Sequence, residues 1–335
     1  MVSLYIVLHI QYDMTIPQLI AQSPRPAFSF EVLPPLKGRG IARLFEDIDS
    51  LMAFRPLYIN ITTHRSEVVV KSCDDGMMRR YTERSRPGTV AVAAAIQNRY
   101  GIQAVPHIIC SGYSRVETEY ALIDLSFLDI RNLLVLRGDK AKHHNTFVPN
   151  ADGHGHALEL ARQVNEFNRG EFSDGTPMDA PPAVPFDYGV AGYPEVHLEA
   201  KDADTDLEVL KMKVDAGASY IVTQMFFDNE VYYDFVKRCR AIGINVPVIP
   251  GLKPLVTRRQ ATLIPAVFGV RLPDELAEAL AACADDVEAK AVGVDWCVRQ
   301  ARDLYAHGIQ SIHFYSHNAV PSVRRILETL YKDEI

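Results

Sequence analysis

Residues 220–249 read YIVTQMFFDNEVYYDFVKRCRAIGINVPVI, and this stretch decides the fold. It opens on an apolar, β-branched run at 220–223 and closes on a second at 246–249. Between them, 230–242 carries apolar residues at helical spacing. Two strands joined by a helix instead of a tight turn form the unit that sets strands parallel. Both strands are apolar without alternation, as a parallel sheet covered on both faces requires.

The same alternation extends in both directions. Strands are expected at 28–31, 57–62, 104–109, 132–136 and 187–191 upstream, and at 311–314 downstream. Helices are expected at 41–54, 90–100, 114–128, 155–167, 205–216, 257–267, 286–307 and 322–331. Eight strands, each followed by a helix, is the count of a single (β/α)8 TIM barrel in the α/β class. A doubly wound open sheet is the alternative, but the early glycine turn it wants is only half present at Gly38 and Gly40. Two stretches, 63–89 and 169–185, read as long polar loops.

The chain is 335 residues long and 48% hydrophobic, with a formal net charge of −7. Such a charge argues against nucleic acid as a partner, since phosphate binding wants a basic surface. Five cysteines, scattered and odd in number, read as reduced thiols in a cytoplasmic protein. Residues 2–10 are apolar but too short to span a bilayer, so no membrane association is expected. Met14 is the expected true start. Residues 1–27 are read as an N-terminal extension and 28–335 as one catalytic barrel.

In such a barrel the chemistry sits at the C-terminal strand ends. Those ends carry Glu31, Thr62-Thr63-His64, His107, Arg137-Gly138-Asp139, Tyr193 to His197, Gln224, Lys253 and Tyr315. Singly, each has a structural reading: Glu31 as a rim carboxylate, His107 as a core histidine, Lys211 and Lys213 as a solvated helix face. Polar groups at one end of most strands are what a purely structural barrel would not need. His143, His144, His154 and His156 lack paired acidic or thiolate partners, so no metal is expected.

Six segments carry a resemblance: FSFEVLPP, PHIIC, LLVLRGD, VAGYPEVHLEA, KVDAGASYIVTQMFFD and VPVIPGLKP. In order and spacing they resemble the methylenetetrahydrofolate reductase family, across nearly the whole chain. The resemblance implies a TIM barrel binding FAD, with NADH or NADPH as electron donor and methylenetetrahydrofolate as substrate. It implies ping-pong kinetics, a role in supplying methyl groups for methionine synthesis, and a homo-oligomer; with no second phosphate site recognisable, NADH is favoured.

Residue by residue, Glu31 matches the family's general acid, and Asp139 the acid beside the flavin that also meets the folate. Gln224 and Gln260 match substrate contacts, and Thr62 a residue near the nicotinamide. Thr63, His107, Arg137, Gly138, Asp139, His156, Ala157, Tyr193, His197, Ala200, Asp206 and Lys213 match flavin contacts. Opening the folate ring to an iminium cation needs a proton on the departing nitrogen, so Glu31 is expected to hold its proton through a raised pKa. An ionised Asp139 would steady the cation.

The chain departs from the family pattern at Val32-Leu33, where Phe-Phe is usual, and at Thr63, where tyrosine is common. Ala319 stands where an arginine helps hold the folate tail, with Arg324 or Arg325 as possible substitutes. The insertion at 63–89 is expected to serve a lid or a subunit contact. A regulatory domain is not expected, nor inhibition by adenosylmethionine. A Schiff-base aldolase would need a lysine on a barrel strand, and Lys253 lies past the end of strand seven. A non-catalytic binder would have no use for the acid at Glu31.

Overall fold

The computed structural model describes residues 14–141 and 144–332. The apolar run 2–10, the rest of the expected extension before Met14, and His143 lie outside the described residues. In chain order the elements begin with helix α1 (Ile16–Gln22), strand β1 (Ala27–Val32), α2 (Ala42–Met52), β2 (Tyr58–Ile61), β3 (Glu67–Ser72) and β4 (Met78–Glu83). Next come α3 (Thr89–Tyr100), β5 (Gln103–Ile109), α4 (Arg115–Phe127), β6 (Asn132–Leu136), α5 (Ala157–Asn168) and β7 (Asp187–Gly192). Then follow α6 (Ala203–Asp215), β8 (Tyr220–Met225), α7 (Asn229–Ala241), β9 (Val248–Leu252) and α8 (Gln260–Phe268). The chain continues through α9 (Asp274–Ala282), α10 (Asp286–Ala306), β10 (Ser311–Phe314) and α11 (Val320–Leu330).

Eight of the strands close into a barrel in the order β1-β10-β9-β8-β7-β6-β5-β2. This is the (β/α)8 barrel that the strand count implies. The pairings are parallel, as in Ala27 with Ser311, His107 with Leu134, and Gly189 with Tyr220. All seven residues of β5 are buried, and five of them, Ala104, Val105, Pro106, Ile108 and Ile109, are apolar, as a strand covered on both faces requires.

The chain falls into two compact units. The first comprises Leu33–Leu44 and Asn60–Tyr188; the second comprises Met14–Val32, Phe45–Ile59 and the chain from Gly189 on. In the first, Phe167 and Phe186 pack at 5.7 Å between ring centroids. The second has an aromatic cluster of Phe28, Phe30, Phe314 and Tyr331. Its helical layer adds a core of Phe227, Leu255, Ile264, Leu276 and Leu280.

Helix starts follow local chemistry. Ser114 and Glu117 form a reciprocal capping box on α4, and Asp285 accepts from the Val287 and Glu288 amides at the start of α10. Asp202 accepts from Thr205 N to begin α6.

Three expectations need correction. The region 63–89 is not a loop throughout: β3 and β4 form an antiparallel hairpin, from Glu67 opposite Glu83 to Ser72 opposite Met78. It turns at Gly76, whose φ is 76°. Strand seven runs over Val248–Leu252, not 246–249; Pro247 joins the sheet only through its carbonyl, which accepts from Ile221 N at 2.9 Å. A helix at Asp274–Ala282 was not expected; Pro273 precedes it and Asp274 and Glu275 fill its first turn. Within the region read as an extension, Thr15 and Gln18 box the start of α1. The stretch 169–185 does remain largely irregular, with one isolated bridge between Glu171 and Pro177. No helix of the described residues is long and apolar enough to cross a membrane.

Candidate active site

In the first unit the predicted residues gather around the ends of β5 and β6. His107 is buried on β5, and desolvation, then the charge of His64, pushes its imidazole down to about 3. It is therefore neutral at physiological pH, and its Nε2 is buried without a protein partner. The Thr63 hydroxyl donates to the His107 carbonyl, which ties the chain after β2 to β5.

The Arg137-Gly138-Asp139 turn leaves β6 with Gly138 at φ 78°. Ser111 N donates to Arg137 O at 3.0 Å, and Ser111 Oγ to Asp139 O at 2.6 Å. A Cβ on Gly138 would stand 3.0 Å from the Ser111 Cβ and 3.2 Å from that of Ile109. Glycine therefore gives this turn both its handedness and its closeness. The Arg137 guanidinium lies 4.8 Å from the centroid of the Phe147 ring, and the Asp139 side chain is exposed. His156 precedes α5 with an exposed side chain, beside half-buried Ala157. Glu159 Oε2 accepts from Gly155 N at 2.7 Å and from His156 N at 3.4 Å, closing the helix start. Thr62 follows β2 directly and is half-buried.

His154 belongs to the scaffold: its Nε2 pairs with Gln163 Oε1 at 2.6 Å, and Gln163 Nε2 reaches Arg115 O at 2.7 Å. Among the described residues no group of three His, Cys, Asp or Glu side chains is placed to hold a metal.

In the second unit a hydrogen-bonded cluster joins the end of β7 to α6. The Tyr193 and His197 rings meet edge to face at 4.5 Å. Asp206 Oδ2 accepts from His197 N at 3.0 Å, Glu199 N donates to His197 Nδ1 at 3.1 Å, and Ala200 N reaches His197 O at 2.8 Å. Lys213 is buried, with Nζ donating to Ala191 O at 2.9 Å. Desolvation lowers its ammonium to about 8, against the attraction of Asp206. Ala191, Tyr193, Asp206 and Lys213 line a small, partly open cleft together with Gly192, Pro194 and Phe235. Five predicted flavin contacts, Tyr193, His197, Ala200, Asp206 and Lys213, thus belong to this one neighbourhood. The reading of Lys213 as a solvated helix face is wrong.

Glu31 is the penultimate residue of β1 and half-buried. Burial raises its carboxyl to about 7, with Lys253 pulling the other way. Ser316 Oγ holds the Glu31 carbonyl. Gln224 lies in β8, with Oε1 accepting from Met225 N at 2.9 Å, next to a register irregularity between Val222 and Met225. Gln260 opens α8, and its Oε1 accepts from Val256 N at 2.6 Å and Thr257 N at 3.2 Å. That oxygen is committed to the backbone. Ala319 is buried, and Arg324 pairs with Glu328 on an exposed helix face.

Two residues at these strand ends carry more than their sequence reading gave them. Tyr315 donates to Thr223 O at 2.6 Å and stands over Gly251. Lys253, set aside as lying past its strand, is the cation that acts on Glu31. The sequence placed both at strand ends, but spacing alone does not say which ends are neighbours.

Comparison with known proteins matches residues 15–331 to the family described as Methylenetetrahydrofolate reductase. The chain is 31% identical over 321 residues to Methylenetetrahydrofolate reductase (NADH) 1 of Arabidopsis thaliana, covering 93% of this chain and 49% of that protein. It is 32% identical over 305 residues to 5,10-methylenetetrahydrofolate reductase of Escherichia coli (strain K12), covering 90% of each. The chain spans about half the length of the plant relatives and nine-tenths of the bacterial one. Among solved structures, it is similar to an uncharacterized protein from Clostridium thermocellum that binds two copies of 5-methyl-5,6,7,8-tetrahydrofolic acid. The TM-score is 0.54 at 13% identity, covering 94% of this chain and 99% of that one, a likeness of fold.

Proposed function

This chain belongs to the methylenetetrahydrofolate reductase family, and from that premise we propose that it reduces 5,10-methylenetetrahydrofolate to 5-methyltetrahydrofolate with NADH or NADPH as donor. The observation that carries the reading is Glu31: a carboxyl brought by burial to about 7, at the C-terminal end of a barrel strand. A group there can hold a proton at neutral pH and give it up to a departing amine nitrogen.

Glu31 protonates the ring nitrogen that leaves the methylene carbon. That carbon–nitrogen bond opens to an iminium cation, and a hydride adds to the carbon to give the methyl group. Asp139 supplies the negative charge that steadies the cation. Gln224 and Gln260 hold the folate, Gln260 through its amide N–H groups because its oxygen is engaged. Thr62 serves the nicotinamide, which leaves before the folate enters.

FAD, when bound, supplies the two-electron store between the two substrates. The chain's residues fit it. Neutral His107 offers a buried Nε2 with no protein partner, and Gly138 keeps the turn after β6 free of a side chain. Lys213 offers a buried cation, beside Asp206, Tyr193, His197 and Ala200. Arg137, Thr63, His156 and Ala157 complete the assigned set. A cytoplasmic setting suits the free thiols. Methyl supply for methionine synthesis is the inferred outlet, and a homo-oligomer the inferred assembly, for which α4 offers outward Tyr120 and Phe127.

An anaerobic titration tests this. NADH added to the FAD-loaded protein should bleach the flavin absorbance, and methylenetetrahydrofolate should restore it. Bleaching without restoration removes the folate from the reading, and failure to take up FAD removes the flavin chemistry altogether.

A further inference from the structure

The barrel register brings together three residues that the proposed chemistry uses only in part. Phe30 pairs with Phe314, and Phe314 pairs with Leu252. One step further along these parallel strands stand Glu31, Tyr315 and Lys253, side by side in that order. Tyr315 N donates to Leu252 O at 2.9 Å, and Ser316 Oγ holds the Glu31 carbonyl, so the three strand ends are fixed relative to one another. The Lys253 side chain turns back over them. Its Nζ reaches Tyr315 O at 3.4 Å and His317 O at 3.2 Å. Both acceptors are neutral carbonyls at long range, which leaves the ammonium charge uncompensated by its own hydrogen bonds. The carboxyl acting on that charge is Glu31.

We propose that Lys253 is a positioning residue for Glu31: its ammonium, held on the Tyr315 and His317 carbonyls, sets the proton affinity of the acid. For catalysis this rests on the reading of Glu31 as the proton donor; the coupling of the two side chains does not.

The other groups around Glu31 leave Lys253 as the charge that matters. Tyr315 and Tyr58 are both pushed above the ordinary phenol range, chiefly by burial, and stay neutral where Glu31 titrates. Tyr193 contributes to the field at Tyr315, and His313 on β10 is bonded to Ser29 at 2.9 Å. Burial alone would make Glu31 a carboxyl that holds its proton too tightly. The opposing pull of Lys253 brings it back toward neutrality, where proton donation and recovery are both fast. An opposite charge nearby lowers a carboxyl's pKa by roughly one unit or more.

The test is carbon-13 NMR on the full chain with glutamate labelled at the side-chain carboxyl. The Glu31 signal is the one lost in Glu31→Gln. In Lys253→Met its titration midpoint should rise by about one unit, and Lys253→Arg should restore most of the difference. A midpoint that stays put in folded Lys253→Met overturns the proposal, and lowered stability with no shift would mark a purely structural lysine. Should Lys253→Met not fold, the reciprocal experiment decides. With labelled lysine, Lys253 should lose its proton at lower pH in Glu31→Gln than in the wild type, and an unmoved titration again overturns the coupling. The folate half-reaction is followed separately. If the NMR midpoint moves while no folate is reduced at any pH, the coupling stands and the assignment of function falls. If both move together, both stand.

Discussion

The Ser111 hydroxyl donates to the main-chain carbonyl of Asp139 across 2.6 Å. This contact fastens the turn after β6 to the residues just beyond β5, and it is possible because Gly138 has no Cβ to hold the chains apart. Ser111→Ala should cost about 1 kcal/mol of stability, the net worth of one hydrogen bond. Gly138→Ala should cost more, roughly 2 kcal/mol, because it puts an alanine in the left-handed region and its Cβ would stand only 3.0 Å from that of Ser111. FAD affinity should fall about tenfold in Gly138→Ala. Urea denaturation and flavin titration check the two effects.

Glu31 sets a pH-dependent stability. Its folded value of about 7 lies above the ordinary 4.5, so between those values the native state binds more protons than the unfolded chain. The benefit of the neutral carboxyl is fully present below pH 4.5 and is lost as pH rises through 7. Glu31→Gln keeps a neutral side chain at every pH. It should match the wild type at pH 4 and exceed it by roughly 3 kcal/mol at pH 8, while the folate half-reaction disappears and nicotinamide oxidation continues. Denaturation curves at the two pH values and the separate half-reactions read this out; equal stability at pH 8 would mean that burial does not raise this carboxyl.

The barrel was legible because its signal is repeated: a run such as LLVL or YIVT is apolar on both faces, and eight of them at helical intervals leave little choice. The elements that escaped lie outside that repeat. The hairpin at 67–83 has its valines at Val68 and Val70 exposed, so its alternation looked like a polar loop among basic residues, although Asp75-Gly76 is a turn signal. Helix α9 carried its own start signal in Pro273, Asp274 and Glu275, but it is an extra helix lying between those expected at 257–267 and 286–307, with no strand of its own before it. The burial of Lys213, which the family resemblance but not the helical spacing marked, and the role of Lys253 escaped for a different reason. Whether a lysine ends in water or beneath a strand end depends on which elements become neighbours, and helical spacing does not encode that.

Tyr315 and Gly251 form a contact that can be dissected by a double-mutant cycle. The Tyr315 hydroxyl donates to Thr223 O at 2.6 Å, and an added Cβ on Gly251 would stand 2.5 Å from the Tyr315 ring and press on the same Thr223 carbonyl. Tyr315→Phe should cost about 1 kcal/mol and Gly251→Ala roughly 2 kcal/mol. Both changes damage one contact, so the double variant should lose less than their sum. Strict additivity would show that the two residues do not act on each other.

Lys213 should reveal a site built for a ligand at the expense of the empty protein. Its folded value of about 8 lies below the ordinary 10.5, so between these values the unfolded chain binds more protons, and stability due to this group rises with pH from about 8 upward. At pH 7 the buried ammonium is a cost. Lys213→Met removes it but strands the Ala191 carbonyl, which had its hydrogen bond at 2.9 Å. The two effects oppose: relief of the desolvation amounts to roughly 3 kcal/mol at pH 7 and the lost hydrogen bond to about 1 kcal/mol. The variant without FAD should therefore be stabler than the wild type at pH 7 by a couple of kcal/mol, with the gap closing by pH 10. With FAD the order should reverse, because the cation that favours an anionic cofactor is gone. Thermal melts with and without FAD at pH 7 and 10 make the comparison. A variant that is less stable under every condition would mean that Lys213 is a structural tie to Ala191 and nothing more.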